Sequence, residues 1–272
     1  MFKKLTLLTA ASMLAAGSAS AALLVHYDFD SLSAGALADG ATITNLGSSG
    51  NNGTVGGIGG GTLTVVSGNA AWARSGNHLS FQPSSDAAGD VDAPHINTNG
   101  TIGDLNIAGD QNYTMGGFFN IQTNAQDNMA FGQSRQSGTG QVLHLGGRGD
   151  FYKHGHWGDD IDSSDPIDLG NWHHVVFTNT AGTNEQRIYV DGLLNGGPAG
   201  AGASGGYTAN AAVNLLIGTS GNSGSYRGLM DDVRVYDEVL SDAQILAWSV
   251  PEPSGAALLG LAGFALMFRR RR

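Results

Sequence analysis

Gly228-Leu229-Met230-Asp231-Asp232-Val233-Arg234-Val235-Tyr236 alternates apolar and polar side chains, and Val239-Leu240-Ser241-Asp242-Ala243-Gln244-Ile245 follows it. The first run has the two-residue period of a strand with one buried face. In that reading Asp231 shares a face with Leu229, Val233 and Val235, while Asp232 sides with Arg234 and Tyr236. In the second run Ser241 and Gln244 have capping-box spacing. The hydroxyl takes up an early backbone N–H and the Gln244 side chain reaches back to the cap. Ile245, Leu246 and Trp248 give this short helix an apolar side. A long strand followed at once by a capped helix is the closing end of a sandwich.

The same period recurs upstream in short runs separated by glycine-rich turns. In Leu23–Phe29, Val25, Tyr27 and Phe29 lie on one face, His26 and Asp28 on the other. Tyr113–Ile121 reads as a strand with Tyr113, Met115, Phe119 and Ile121 on one side. Thr62–Val66, Leu79–Phe81, Val142–Leu145, His173–Thr178 and Val213–Ile217 are further β-rich pieces. Arg187-Ile188-Tyr189-Val190 runs into Asp191-Gly192 and out through Leu193-Leu194, the pattern of a tight hairpin. The stretches Gly47–Gly61 and Asn195–Gly206 read as loops, with no internal repeat. These pieces predict an all-β sandwich of two antiparallel sheets with one short C-terminal helix. Its core holds Val25, Tyr27, Val175, Phe177, Val233 and Val235.

Taken in order, these segments resemble the laminin-G-like (concanavalin A-like) jelly roll. The resemblance rests on Asn51-Asn52-Gly53-Thr54-Val55 after the Tyr-Asp-Phe strand, on Asn171-Trp172-His173-His174-Val175-Val176-Phe177, and on Ile188-Tyr189-Val190-Asp191-Gly192. The final strand and helix complete it. It implies a jelly-roll β-sandwich across nearly all of residues 22–249. It is a poor guide to function, because the fold hosts lectins, adhesion modules, glycosidases, lyases and structural domains.

Both ends read as transport signals. Met1-Phe2-Lys3-Lys4 is a basic n-region, Leu5–Ala16 an apolar h-region, and Ala19-Ser20-Ala21 an A-x-A site, so residues 1–21 are a signal peptide cleaved after Ala21. At the other end Pro251-Glu252-Pro253 breaks regular structure. An apolar run to Phe268 and four arginines follow. As a helix that run spans about 20 Å, short of the roughly 30 Å hydrocarbon core, and the arginines hold the end in the cytoplasm. Residues 250–272 resemble the PEP-CTERM sorting tail of Gram-negative bacteria. That resemblance implies a transient inner-membrane anchor, processing by an exosortase near Pro251, Glu252 and Pro253, and a final place at the cell surface or outside the cell.

The chain has 43 glycines, 13% charged residues and no cysteine, so no disulfide supports the exported part. Six of its 13 basic and one of its 23 acidic residues lie in the transport ends. The middle therefore keeps 7 basic against 22 acidic groups, a formal charge of −15. Such a surface repels phosphate backbones and attracts divalent cations, which argues against nucleic acid as a partner. Gly56–Gly61 has the look of a phosphate loop but lacks the following lysine and helix.

The densest polar and aromatic cluster is Phe151-Tyr152-Lys153-His154-Gly155-His156-Trp157-Gly158-Asp159-Asp160. Three readings stand side by side: rings packing on the sandwich, a ligand site using His156, Trp157, Asp159 and Asp160, or a metal held by His154 and His156. Asp231, on an apolar strand face, needs hydrogen bonds or a cation. It is the leading candidate ligand for a structural Ca²⁺, with Asp28 second and Asp159 or Asp160 an alternative loop site; the competing reading has Asp231 accepting backbone N–H groups at the sheet rim. Trp172, His173 and His174 read as packing at a strand start.

Hydrolases of this fold place two glutamates along one strand, as acid and nucleophile. The only glutamates here are Glu185, Glu238 and Glu252, widely scattered, so no catalytic residue is assigned and a non-enzyme is expected. The expected function is a surface or matrix protein whose jelly roll binds polysaccharide or another matrix component. A purely structural envelope protein is the alternative, and a glycoside hydrolase or polysaccharide lyase a more distant one.

Overall fold

The computed structural model describes residues 21–69, 74–84, 93–124, 127–133, 140–183, 185–199, 211–221 and 224–250. Apart from Ala21 and Val250, the signal peptide and sorting tail, with Pro251, Glu252 and Pro253, lie outside the described residues. The first strands are β1 (Leu23–Tyr27), β2 (Gly35–Ala36), β3 (Thr42–Ile43), β4 (Gly53–Gly56), β5 (Gly61–Asn69) and β6 (Arg74–Pro83). The middle of the chain supplies β7 (His95–Thr101), β8 (Tyr113–Ile121), β9 (Asp127–Gln133), β10 (His144–Arg148), β11 (Phe151–Gly155) and β12 (Ile161–Pro166). The last are β13 (His173–Thr180), β14 (Glu185–Val190), β15 (Leu193–Ala199), β16 (Asn214–Ile217) and β17 (Gly228–Tyr236), before helix α1 (Asp242–Ser249).

They form two antiparallel sheets. One runs β15-β14-β13-β8-β17-β6-β5-β2, with β1 also paired to β17; the other runs β12-β11-β10-β9-β16-β7-β4-β3. Long-range antiparallel order of this kind is the expected jelly-roll sandwich. Each inner face supplies alternate side chains to one core, and all six expected core residues, Val25, Tyr27, Val175, Phe177, Val233 and Val235, lie in it. So do Tyr113, Met115, Phe119 and Ile121.

The larger sheet also buries its other face. Phe118, Val176 and Tyr189 point outward from β8, β13 and β14 and pack with Trp172, Leu240, Ile245 and Trp248. Helix α1 therefore covers the back of this sheet rather than simply closing its end. Its capping box forms as expected, with Ser241 accepting from the Gln244 N–H and the Gln244 side chain accepting from the Ser241 N–H.

Three readings are corrected. Gly47–Gly61 is not all loop, because it contains β4, which pairs with β3 and β7. Asn195–Ala199 likewise belongs to β15, the edge strand beside β14. Backbone pairing holds both strands despite their glycine and polar content. The third concerns phase. Asp231 pairs with Phe118 and Arg234 with Gly116, so β17 carries one residue too many, and Asp232 takes φ 49. This bulge resets the two-residue period. Val233 and Val235 join Met230 in the inter-sheet core, whereas Asp231 stays on the outer side with Leu229 and its partner Phe118.

Candidate functional site

The hairpin signalled by Asp191-Gly192 builds one wall of a surface cleft. Both turn residues have positive φ, 52 and 81, which suits the right-handed twist of the flanking strands β14 and β15. The Asp191 N–H donates to the His174 carbonyl at 2.7 Å, and one Asp191 carboxylate oxygen accepts from the His174 N–H at 3.0 Å. The other lies 2.9 Å from Nδ1 of His173. The hairpin tip is thus latched to the start of β13.

Across from it, the edge strands of the two sheets are bridged. Asn195 on β15 donates its amide to the Asp165 carboxylate at 2.7 Å, and its amide oxygen accepts from the Asp165 N–H at 3.1 Å. Asp168, in the connection between β12 and β13, accepts from the Asn171 amide at 3.0 Å and stands 3.9 Å from Nε2 of His173, too far for a hydrogen bond. Between these elements lies a cleft of about 310 Å³. Asp165, Asp168, His173, Asp191 and Asn195 give it polar walls; Tyr152, Pro166, Val190 and Leu193 give it apolar ones. Leu193 is 66% exposed, so its side chain is free to meet a ligand.

The hydrogen bond that the ring donates to Asp191 raises the His173 pKa above its usual value, against the opposing effect of partial burial. Burial works against ionising Asp191, yet His173 and the His174 N–H hold its carboxyl below the ordinary range. At neutral pH the cleft therefore presents carboxylate and amide acceptors beside an apolar shelf. This combination can take up a hydroxylated ring: oxygens accept from the hydroxyls, and the C–H face rests on the apolar side chains. Neither Glu185 nor Glu238 lines it.

The expected sites fall elsewhere. His154 and His156 are completely buried, and both Nε2 atoms lie 2.8 Å from the Tyr113 hydroxyl. Nδ1 of His156 contacts the Gln186 amide, which also donates to the Asp159 carbonyl. Burial pushes His154 down to about 3, and burial with its histidine neighbours pushes His156 well below its usual value, so both are neutral rings of the core. His156, and Asp159 at 4% exposure, are thus out of reach of a surface ligand. Their residue types suggested chemistry, but desolvation turns them to packing. Trp157 is exposed, in the turn between β11 and β12, at the far end of that hairpin from Tyr152 and Asp165. Asp160 pairs with His144 at 3.1 Å and with Arg148 at 3.6 Å. That approach depends on Gly155, where a Cβ would meet both Asp160 and His144 within 2.4 Å.

Of the two leading calcium candidates, Asp231 accepts the Asp232 N–H at 2.7 Å and Asp28 accepts the Asp30 N–H at 3.2 Å. Among the described residues no group of three or more His, Asp or Glu side chains converges on a metal-sized site. Trp172 and His174 are buried, as packing requires, but His173 lines the cleft.

A family model described as the concanavalin A-like lectin/glucanases superfamily matches residues 94–246. No curated protein matches the chain in sequence. Among solved structures, domain 4 of AbnA, a GH43 extracellular arabinanase from Geobacillus stearothermophilus, in complex with arabinotriose, aligns with TM-score 0.57 and 18% identity over 84% of this chain and 98% of that one. A Trypanosoma rangeli sialidase aligns with TM-score 0.51 and 14% identity, covering 85% of this chain but only 33% of the sialidase. The binding domain of Paraclostridial Mosquitocidal Protein 1 aligns with TM-score 0.50 and 13% identity, over 84% of this chain and 52% of that one. At such identities the likeness is one of fold.

Proposed function

This chain belongs to the concanavalin A-like lectin/glucanases superfamily, and on that premise we propose that it is an exported carbohydrate-binding protein of the cell surface or extracellular matrix. Its jelly roll holds polysaccharide in the rim cleft between β12 and β15. The observation that carries this reading is the cleft itself, with the Asp165, Asp191 and Asn195 acceptors facing the Leu193 and Tyr152 shelf. A structural neighbour described in complex with arabinotriose lends support at the level of fold. Signal peptidase and an exosortase process the two ends, with the sorting tail as a transient membrane anchor. We take the binding role to be non-catalytic, in keeping with a described lining that contains neither Glu185 nor Glu238.

The test is binding to a panel of insoluble and soluble polysaccharides, including the host's own exopolymer, by wild type and by Leu193→Ser and Asn195→Ala. Both variants sit at the surface and should keep the wild-type melting midpoint to within a few degrees. Each should weaken glycan binding at least tenfold. Binding that survives both variants would place the site elsewhere, and a protein retained by no polysaccharide would be an architectural component.

A further inference from the structure

We infer that the rim cleft selects uncharged, hydroxyl-rich glycans and rejects polysaccharides that carry carboxylate, sulfate or phosphate groups. This rests on the carbohydrate-binding reading above and adds the class of ligand to it. Three carboxylates, Asp165, Asp168 and Asp191, face one small space, and the nitrogen of Asn195 is already committed to Asp165. Among the described residues the sole titratable base in the lining, His173, is taken up by Asp191 at 2.9 Å.

Among the described residues no lysine or arginine lines the cleft. Those whose pairing is known are spent elsewhere: Lys153 on Asp162, Arg148 on Asp127 and Asp160, Arg187 on Glu185 and Arg234 on Asp232. A uronate entering the cleft would therefore meet like charges at short range with no unpaired counter-charge to relieve them, and specificity against a ligand is commonly built by such repulsion. A neutral sugar hydroxyl meets the same oxygens as hydrogen-bond acceptors. The surrounding surface, at a formal −15, repels the same polyanions before they arrive.

The experiment compares neutral polymers (arabinan, xylan, β-glucan and mannan) with polygalacturonate and alginate, at low and at moderate salt, using the mature domain and Asp168→Asn. Wild type should bind at least one neutral polymer and bind either acidic polymer at least tenfold more weakly, the gap narrowing as salt rises. Asp168→Asn should narrow the neutral-to-acidic ratio severalfold at low salt. Cleft-dependent binding of polygalacturonate or alginate equal to or tighter than that of every neutral polymer overturns the inference and leaves the carbohydrate-binding reading intact. So does a ratio unmoved by Asp168→Asn. Binding to none of the six polymers removes both.

Discussion

The indole N–H of Trp248 donates to a carboxylate oxygen of Asp232 at 3.0 Å, fastening the last helix to the bulge in β17. The same carboxylate receives both Nε and Nη2 of Arg234, at 2.9 and 3.0 Å, and lies 2.7 Å from Nε2 of His26 on β1. The Arg234 guanidinium sits 5.0 Å from the centre of the Trp248 ring. One side chain, set by one extra residue in a strand, thus joins three elements.

Replacing Asp232 by alanine should accordingly cost roughly 3–5 kcal/mol, because a half-buried guanidinium and an indole N–H lose their acceptor together. Trp248→Phe keeps most of the packing and should cost less, about 1–2 kcal/mol. Urea titration of both variants is the check. An Asp232→Ala protein as stable as wild type would mean that the network carries little.

The buried histidines make the fold acid-sensitive. His154 titrates near 3 in the folded protein and His156 also well below its ordinary value, whereas both return to about 6.5 on unfolding. Below that value the unfolded chain binds more protons, so stability falls as pH drops from about 6.5 toward 3. Melts at pH 7, 5 and 4 should show this slope, and His156→Gln should flatten it. A flat profile in wild type would contradict neutral burial.

The two members of the cleft pair work in opposite directions. His173 is raised, so its contribution is complete below about 6.5 and is lost as pH rises through its folded value. Asp191 is lowered, so its share is present above about 4 and is lost as pH falls through its folded value. The pair is therefore fully charged in mildly acidic solution. Its effect on stability should stay below about 1 kcal/mol, since Asp191 is open to solvent. NMR titration of the His173 ring in wild type and Asp191→Asn reads it directly: the variant's midpoint should be lower.

Gly192 offers a backbone test. At φ 81 any side chain is strained, and a Cβ there would meet Ser249 Oγ at 2.6 Å and Leu246 at 2.8 Å. Gly192→Ala should cost at least about 1–2 kcal/mol from conformation alone, and more if helix α1 must shift. A wild-type midpoint would show that the hairpin has room to rearrange.

The transport signals call for a different measurement. Intact mass of the protein from its native host should begin at Ala22 and lack the residues beyond the Pro-Glu-Pro break. A mature species that retains Arg269–Arg272 would defeat the sorting reading.

Much of the sandwich was legible because its central strands bury alternate large side chains. Tyr113–Ile121, Val175–Phe177 and the Asp191-Gly192 turn each announce themselves by local pattern. Edge strands do not. β12 is Ile-Asp-Ser-Ser-Asp-Pro and β15 is Leu-Leu-Asn-Gly-Gly-Pro-Ala, and neither carries a run of alternating apolar residues. A bulge is invisible to a two-residue period, which therefore groups Asp231 with Val233 and Val235. The cleft leaves little local trace for a related reason. Asp165, Asp168, His173 and Asn195 come from two edge strands and the chain between them, and only the tertiary fold brings them together. The hairpin signal at Asp191-Gly192 was the one local trace of it.

The crowding of Ser249 and Leu246 against Gly192 also decides how the protein can be handled. A chain continuing past the helix departs beside the very hairpin that walls the cleft. The other terminus begins remotely: Leu23 pairs with Tyr236, level with Thr114 and Thr178, five residues along β13 from His173, about 17 Å away along the strands. A resin linker or fluorophore fused behind Ser249 would obstruct what it was meant to display, whereas one placed ahead of Leu23 leaves the mouth clear.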